Sequence, residues 1–272
     1  QELTFRKGEG PHLEPVVRSM EDVAALVEPD IPRDLAYVGE TLERVRAELG
    51  EDRALVGFAG APFTLASYMV EGRGTRTFDR IKGLLRAHPD ALVALLDRLA
   101  DLVGDLLEFQ LERGADAVQL FDSWAGELSP ADYLQFAHPV NQRIAERIER
   151  AGGRLILFIR NGSHLFDTSL TTSVPALSLD WRIDLGTAAQ EVAVGRSEGS
   201  TTVRCLQGNM DPADLFGPPA CIQERVRAQH DAVAGKVGHI FNLGYGLVPT
   251  TPVEGIAAFV RSVQELGSAE PA

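Results

Sequence analysis

The sequence predicts an α/β fold built on a parallel sheet. Six short apolar segments alternate with longer segments in which leucine, valine and alanine recur at helical spacing. Polar or glycine-rich residues follow each apolar segment directly, as they do where parallel strands end in functional loops. No linker or shift in composition divides the 272 residues, so we predict one domain over residues 1–272.

Two extended pieces and two helices are predicted ahead of the sheet. Residues 3–6 and 13–17 flank a segment rich in glycine and proline, which predicts a turn. Ser19 is predicted to cap a helix that runs to Val27, in a pattern resembling a capping box. A second helix is predicted over residues 33–49, where apolar residues recur at steps of three and four.

The first strand of the sheet begins at Leu55 and leads into a break at residues 60–62. The chain then regains helical composition and reaches the basic, glycine-broken segment 73–76. Tyr68 is notable, because a phenol close to Glu71 and two arginines combines a proton donor with groups that bind carboxylates. An ordinary connection between a strand and a helix is the alternative.

Helices separate most of the remaining strands. The longest is predicted over residues 89–113, with an apolar stripe broad enough to cover a sheet. The strands themselves are predicted over residues 117–121, 155–159, 176–179, 203–207 and 239–242. A closed (β/α)8 barrel needs eight strands, so two architectures remain: an open doubly wound sheet, or a barrel whose first two units precede Gln1. The dinucleotide fingerprint GxGxxG follows none of these strands, which weakens the open-sheet alternative.

Composition limits the classes of partner. A formal net charge of −13, with 39 carboxylates and no basic stripe, argues against binding to nucleic acid. Cys205 and Cys221 lack the spacing of a redox or zinc motif, and no other set of residues has convincing metal spacing, so we expect neither a metal nor a disulfide framework. Neither a membrane-spanning segment nor a signal pattern is evident, and a reducing cytoplasm is the simplest compartment.

Polar side chains stand at four of the predicted strand ends. If these strands are neighbours, their ends face one cavity and the polar groups there bind substrate or catalyse its reaction. The residues are Asp122, Ser123, Asp180, Gln207, Asn209, Asn242 and Tyr245. Each of them taken alone could instead cap a helix or complete a turn, and for Ser123 capping is the main alternative.

Five segments, in this order, resemble the uroporphyrinogen decarboxylase family. They are residues 57–64 with 68–72, 121–126, 179–181, 206–212 and 239–244. The resemblance extends from about Phe5 to the end of the chain. It implies a (β/α)8 barrel, a homodimer and a carboxy-lyase without cofactor or metal. Such an enzyme removes carbon dioxide from the four acetate side chains of uroporphyrinogen III to give coproporphyrinogen III, in porphyrin and haem biosynthesis.

The same resemblance implies roles for individual residues. Tyr68 and Ser123 match a tyrosine and a serine of the family that contact substrate carboxylates, and they are the catalytic candidates. Phe121 matches an aromatic residue beside the substrate ring. The family's arginine-bearing motif, and the aspartate that binds the pyrrole N–H groups, are expected ahead of Gln1, so the barrel is expected to be incomplete at its N-terminus.

Two positions depart from the family pattern, and both are candidates for substrate binding. Tyr245 stands where the family has a histidine, and a phenol can donate a hydrogen bond but does not become a cation near neutral pH. Arg160 lies in a loop that is usually richer in glycine and small residues, and we expect it to supply an additional carboxylate contact.

There are two alternatives to this activity: a degenerate paralogue, suggested by the departures from the family pattern, and a corrinoid methyltransferase, from a related family. A degenerate paralogue would bind a tetrapyrrole or a protein partner without turnover. Related corrinoid methyltransferases need a zinc-binding His-x-Cys motif, which this sequence does not contain.

Overall fold

A short antiparallel hairpin begins the part of the chain that the computed structural model describes, residues 1–6 and 10–269. Strand β1 (Glu2–Arg6) pairs with β2 (Gly10–Glu14), which confirms the first predicted extended piece; the second begins three residues earlier than predicted, so Gly10 and Pro11 lie in the strand and not in the turn. The second piece ends before the predicted residue 17. The predicted turn between them lies partly outside the described residues.

Two predicted helices are shorter than the sequence suggests. Helix α1 (Met20–Ala24) has Ser19 as its N-cap, as predicted, but ends three residues before Val27. The guanidinium of Arg98 donates to the carbonyls of Val23 and Leu26 at 2.8 and 2.7 Å, and it thereby satisfies the carbonyls that a longer helix would pair.

The second predicted helix is divided in two. Helices α2 (Ile31–Asp34) and α3 (Ala36–Leu49) are separated by Leu35, whose φ of −117° and ψ of 26° leave helical geometry. Gly50, at a φ of 73°, ends α3 as predicted.

The first βα unit is held together by a side chain that pairs with a strand backbone. Strand β3 (Val56–Gly60) leads into α4 (Pro62–Glu71), followed by α5 (Asp79–Ala87) and the long α6 (Pro89–Glu112). Gln110 on α6 accepts from the N–H of Phe58 at 2.7 Å and donates to its carbonyl at 2.9 Å. A side chain at Gly57 would collide with this amide, which explains the glycine.

Strand β4 (Ala117–Asp122) runs parallel to β3, one residue longer than predicted. A 3-10 turn at Ala125–Glu127 follows, then α7 (Pro130–Asp132), a π-helical segment (Tyr133–Ala137), α8 (His138–Arg150) and β5 (Leu155–Ile159). Strand β5 has the predicted bounds, and all five of its residues are buried.

The chain divides into two compact units, Gln1–Phe158 and Ile159–Ala272, with the boundary inside β5. The second unit contains two 3-10 turns, three strands and four helices among the described residues. In order these are Ser163–Leu165, α9 (Phe166–Ser169), β6 (Ala176–Ser178), α10 (Leu185–Glu198), β7 (Cys205–Gln207), Pro212–Phe216, α11 (Pro219–Val233), β8 (Gly238–Ile240) and α12 (Val253–Ala269). Met210, Leu215, Ile222, Val226 and Ala258 form an apolar core there. The single domain predicted over residues 1–272 stays a prediction.

The sheet confirms the predicted α/β class. Its hydrogen-bonded strand order is β3-β4-β5-β6-β7-β8, which is the order of the chain. The pairs β6–β7 and β7–β8 are parallel, like β3–β4. A doubly wound sheet reverses its strand order at the ligand crevice, whereas the strands of a (β/α)8 barrel follow one another without reversal. The observed order is that of the barrel.

Candidate active site

Tyr68 lies on the last turn of α4, where two backbone devices fix it. Pro62 opens the helix at a position that needs no N–H donor, and Gly72 ends it at a φ of 76° by donating to the carbonyl of Tyr68 at 2.8 Å. The Tyr68 ring is partly exposed and packs against Trp124 with 4.0 Å between ring centroids. Residue type and local chain geometry therefore fix the position of this phenol.

Three charged residues follow Tyr68 closely in the sequence: Glu71, which has a structural role, and the exposed Arg73 and Arg76. Glu71 is buried, and its carboxylate accepts the N–H groups of Arg80 and Ile81 at 3.0 Å each, so it caps the start of α5. Arg73 and Arg76 are exposed. The predicted carboxylate-binding groups near Tyr68 are thus the two arginines, while Glu71 stabilises the fold.

Ser123 and Phe121 lie at the carboxyl end of β4, and both are partly exposed. The Ser123 side chain caps no helix: the 3-10 turn that follows has Trp124 as its N-cap and no side-chain cap bond. Phe121 meets Phe58 and Phe158 edge to face, with ring centroids 6.1 and 5.7 Å apart. One hydroxyl and one aromatic platform therefore stand side by side at this strand end.

A buried carboxyl supports this strand end from below. Asp122 is fully buried and accepts from the hydroxyl of Thr64 and from the amide of Asn141, both at 2.9 Å. The Thr64 hydroxyl also accepts the N–H of Trp124 at 3.2 Å. Burial raises the pKa of the Asp122 carboxyl to about 6, and hydrogen bonds from Asn141 and from the side chain and backbone of Thr64 oppose that rise. The sequence marked Asp122 as a polar strand end, and the structure makes it an internal support.

Three residues of this cluster escaped the sequence analysis. Thr64 lies in the segment 57–64 that resembles the family, but no role was assigned to it, and Asn141 lies in the predicted helical region before β5. Nothing in the sequence indicated that either side chain binds Asp122. Phe78 takes a left-handed φ of 52° and packs edge to face on Trp124, with 5.1 Å between ring centroids. A positive φ at an aromatic residue is rare and has no sequence signature.

In the second unit, Arg160 and Tyr245 form a pair. The Arg160 guanidinium carbon lies 4.3 Å from the centroid of the Tyr245 ring, a cation–π contact. Arg160 Nε is buried and has no hydrogen-bond partner among the described residues. Tyr245 is 42% exposed. The Tyr245 phenol therefore has a guanidinium beside it, which the sequence alone did not indicate.

Asp180, at another predicted strand end, serves the loops around it. Its carboxylate accepts the N–H of Asn161 at 2.6 Å and the N–H of Arg182 at 2.9 Å, and it lies 3.2 Å from the Arg182 guanidinium. Asn161 has a φ of 56°, which asparagine tolerates better than most residues. This carboxylate fixes the backbone directly after Arg160 and thereby helps to place that arginine.

The remaining polar strand ends are mostly occupied by structural hydrogen bonds. Gln207 donates to Ser178 Oγ at 3.0 Å, and Asn209 donates to the carbonyls of Asp180 and Ile183. Asn242 accepts the N–H of Leu243 at 2.9 Å. The prediction that these amides are substrate groups gains no support from their geometry.

No group of three or more histidine, cysteine or carboxylate side chains in residues 1–6 and 10–269 could hold a metal ion. In the same part of the chain, no helix is both long and apolar enough to cross a membrane.

Comparison with solved structures supports the fold. A methyltransferase from Methanosarcina mazei superposes with a TM-score of 0.79 at 20% identity, covering 98% of this chain and 75% of that one. A B12-independent methionine synthase from Shewanella sp. W3-18-1 gives 0.58 at 11% identity, covering 99% and 76%. At these identities the likeness concerns the fold alone.

Sequence comparison identifies the family. Residues 1–266 match the uroporphyrinogen decarboxylase (URO-D) family. The chain is 40% identical over 270 residues to a uroporphyrinogen decarboxylase of Hahella chejuensis, covering 98% of this chain and 74% of that protein. It is 39% identical over 262 residues to the one of Streptomyces avermitilis, covering 96% and 71%. The chain therefore belongs to the uroporphyrinogen decarboxylase family.

Proposed function

We propose that this chain catalyses the cofactor-free decarboxylation of uroporphyrinogen III to coproporphyrinogen III. Family membership supports the reaction class. The observation that carries the assignment of residues is the cluster of Tyr68, Phe121 and Ser123, which presents two hydroxyls and one aromatic ring, all partly exposed, around the paired strands β3 and β4. Such a surface suits a macrocycle that presents the apolar faces of pyrrole rings and carries carboxylate side chains.

Each of the four reaction steps exchanges carbon dioxide for a proton. Protonation of the pyrrole carbon beside the acetate makes the ring an electron sink. The bond between the acetate methylene and its carboxylate then breaks, its electron pair enters the ring, and carbon dioxide leaves. Protonation of the methylene gives a methyl group, and loss of the first proton restores the pyrrole. The protein has to hold the breaking bond perpendicular to the ring plane throughout.

The residues of the first unit suit this positioning task. The Tyr68 phenol and the Ser123 hydroxyl donate hydrogen bonds to the acetate that reacts. Phe121 contacts the ring face, and the exposed arginines of the 73–76 loop attract the anionic substrate.

For the second unit we propose a carboxylate contact made by Arg160 and Tyr245. The guanidinium stays charged at every working pH, and its buried Nε lacks a hydrogen-bond partner among the described residues. Arg160 as a whole is only partly buried, so the other N–H groups of its guanidinium are the donors proposed for a substrate carboxylate, while the Tyr245 hydroxyl adds a neutral hydrogen bond. In this proposal the charge that a histidine brings elsewhere in the family is carried here by Arg160.

A second candidate function is tetrapyrrole binding without turnover. The observation that favours it is Tyr245, since a phenol does not deliver a proton as an imidazolium does. The two functions differ in one result: both predict binding of the product coproporphyrinogen, and decarboxylation alone predicts loss of carboxylates from the substrate.

Assembly and location complete the proposal. We propose a homodimer, on family resemblance, which analytical ultracentrifugation would test. The two cysteines remain free thiols, which suits the reducing cytoplasm that we propose as the compartment. Fractionation of the source cells with an antibody to the protein would test that location.

The deciding experiment uses the natively expressed protein, including any residues that flank 1–272. The protein is incubated anaerobically with chemically reduced uroporphyrinogen III. The products are oxidised and separated by the number of carboxylates. We expect stepwise loss of the acetates. Absence of carboxylate loss, with the Hahella chejuensis relative active in parallel, would refute the decarboxylase and leave the binding function.

A further inference from the structure

Thr64 connects two points of the chain that flank Ser123. Its hydroxyl donates to the carboxylate of Asp122, the residue before Ser123, at 2.9 Å. The same hydroxyl accepts the N–H of Trp124, the residue after it, at 3.2 Å. Because one side chain of α4 contacts both neighbours of Ser123, the backbone of that serine is restrained on both sides.

The restraint extends to Tyr68 through an aromatic contact. The ring of Trp124 lies 4.0 Å from the ring of Tyr68 and 5.1 Å from that of Phe78, so it is enclosed from two directions. Tyr68 lies one helical turn after Thr64 on α4. Ser123 and Tyr68 are thus connected through Trp124: its backbone N–H donates to Thr64, and its ring packs on the ring of Tyr68.

The carboxylate at the origin of this arrangement is otherwise unexplained. Asp122 is fully buried, and its contacts are the neutral groups of Thr64 and Asn141. A buried carboxylate without a cation is costly, and asparagine or serine would fill the space at lower cost. An ionised carboxylate, in contrast, accepts hydrogen bonds on both oxygens and does so more strongly than a neutral group.

We propose that Asp122 is a positioning residue: through Thr64 it fixes the Ser123 backbone and the Trp124 ring, and through that ring it orients the phenol of Tyr68. Asp122 does not contact substrate. The expected effect of Asp122 on kinetics rests on the proposed function, whereas its expected effect on Trp124 can be measured without substrate. The positioning role and the proposed function can therefore fail separately.

The first test follows the ring of Trp124 by fluorescence. The chain has two tryptophans, so Trp181→Phe leaves Trp124 as the reporter. In that background, Asp122→Asn leaves one acceptor oxygen where the carboxylate has two, so residue 122 no longer accepts from both Thr64 and Asn141. We expect quenching of Trp124 by acrylamide to rise about twofold, because a released ring becomes more accessible.

An exchange of the two side chains provides the rescue. The double variant Asp122→Asn with Asn141→Asp restores one carboxylate and one amide, with the carboxamide of residue 122 still able to accept from Thr64. We expect parental quenching to return. In active protein, kcat should fall about tenfold in Asp122→Asn with KM unchanged, since misplacement affects the reacting geometry, and the exchange should recover it.

Thr64 supplies an independent arm. Thr64→Val removes the bridging hydroxyl at nearly constant volume, while Thr64→Ser keeps the hydroxyl and serves as the matched control. Increased quenching in Thr64→Val, and parental quenching in Thr64→Ser, would support the proposal even if Asp122→Asn does not fold. Folded Asp122→Asn or Thr64→Val with parental quenching would overturn it. If quenching rises in these variants but neither the parent nor any variant removes carboxylates, the positioning role is supported and the proposed function is refuted.

Discussion

The two tyrosines at the candidate sites receive different kinds of support. Tyr68 packs against the ring of Trp124, and the backbone N–H of Trp124 is bound by Thr64 in the buried network of Asp122, Thr64 and Asn141. Tyr245 is 42% exposed and lies against the guanidinium of Arg160. The Tyr68 phenol is therefore positioned by an aromatic contact, whereas the Tyr245 phenol lies beside a cation.

This difference leads to different expected roles. A rigidly placed donor acts on the geometry of the reacting bond and therefore on kcat. An exposed donor beside a cation acts on capture of an anionic group and therefore on KM.

The largest effect is expected on stability, at Asp122. Its folded pKa of about 6 lies above the ordinary value of 3.8, so between pH 4 and 6 the folded state binds a proton that the unfolded state has lost. The free energy of unfolding therefore falls as pH rises through this range, by about 3 kcal/mol for a difference of roughly two pH units.

Urea unfolding of the parent and of Asp122→Asn between pH 4 and 7 measures this contribution. The parent should lose stability relative to the variant as pH rises, because asparagine does not ionise. Parallel pH profiles for the two proteins would show that the carboxyl titrates at its ordinary pKa, and that the neutral surroundings of Asp122 are not as described.

The next largest effect is expected at Tyr68. Tyr68→Phe keeps the ring contact with Trp124 and removes the hydroxyl, so kcat should fall about a hundredfold with little change in KM, as when one preorganised donor is lost. Tyr37→Phe is the matched control, because Tyr37 is exposed on α3. Steady-state decarboxylation rates provide the measurement. A parental kcat in Tyr68→Phe would limit Tyr68 to packing.

A smaller effect is expected at Arg160. Arg160→Gln removes the charge, and a charge-assisted hydrogen bond is worth about 1.5–3 kcal/mol, so KM should rise about tenfold or more while kcat stays nearly constant. Arg160→Lys should recover part of the loss, since lysine keeps the charge but not the planar contact with Tyr245. Arg227→Gln, at an exposed position of α11, is the control. An unchanged KM in Arg160→Gln would exclude the proposed carboxylate contact.

The smallest effect is expected at Tyr245. Tyr245→Phe keeps a ring beneath Arg160 and removes a neutral hydrogen bond worth about 1 kcal/mol, so KM should rise about fivefold. Tyr245→His should gain little, because the adjacent guanidinium disfavours a second positive charge on the imidazole. A large gain of activity in Tyr245→His would instead show that Arg160 does not replace the histidine.

Much of the fold was predictable from local patterns, and the site only in part. Strand β5 follows from a continuous apolar run and the helix from Pro89 follows from apolar periodicity, and both are local properties of the sequence. The division of the helix at Leu35 was not predictable, because it depends on a single residue leaving helical geometry within a periodic apolar pattern.

Contacts between distant residues account for what the sequence missed at the site. Tyr68 and Ser123 were predicted through a family resemblance. The Asp122 network joins residues from α4, β4 and α8, and the pair of Arg160 and Tyr245 joins positions 85 residues apart, 160 and 245. Hydrogen-bond and ring partners at such separations leave no pattern in one sequence, so their discovery required the structure.

The most direct test of the division between the two tyrosines is a joint measurement of kcat and KM for uroporphyrinogen III in the parent, Tyr68→Phe and Tyr245→Phe. The account predicts a lower kcat with a parental KM in Tyr68→Phe, and a higher KM with a parental kcat in Tyr245→Phe. The reverse assignment, or the same change in both variants, would contradict it.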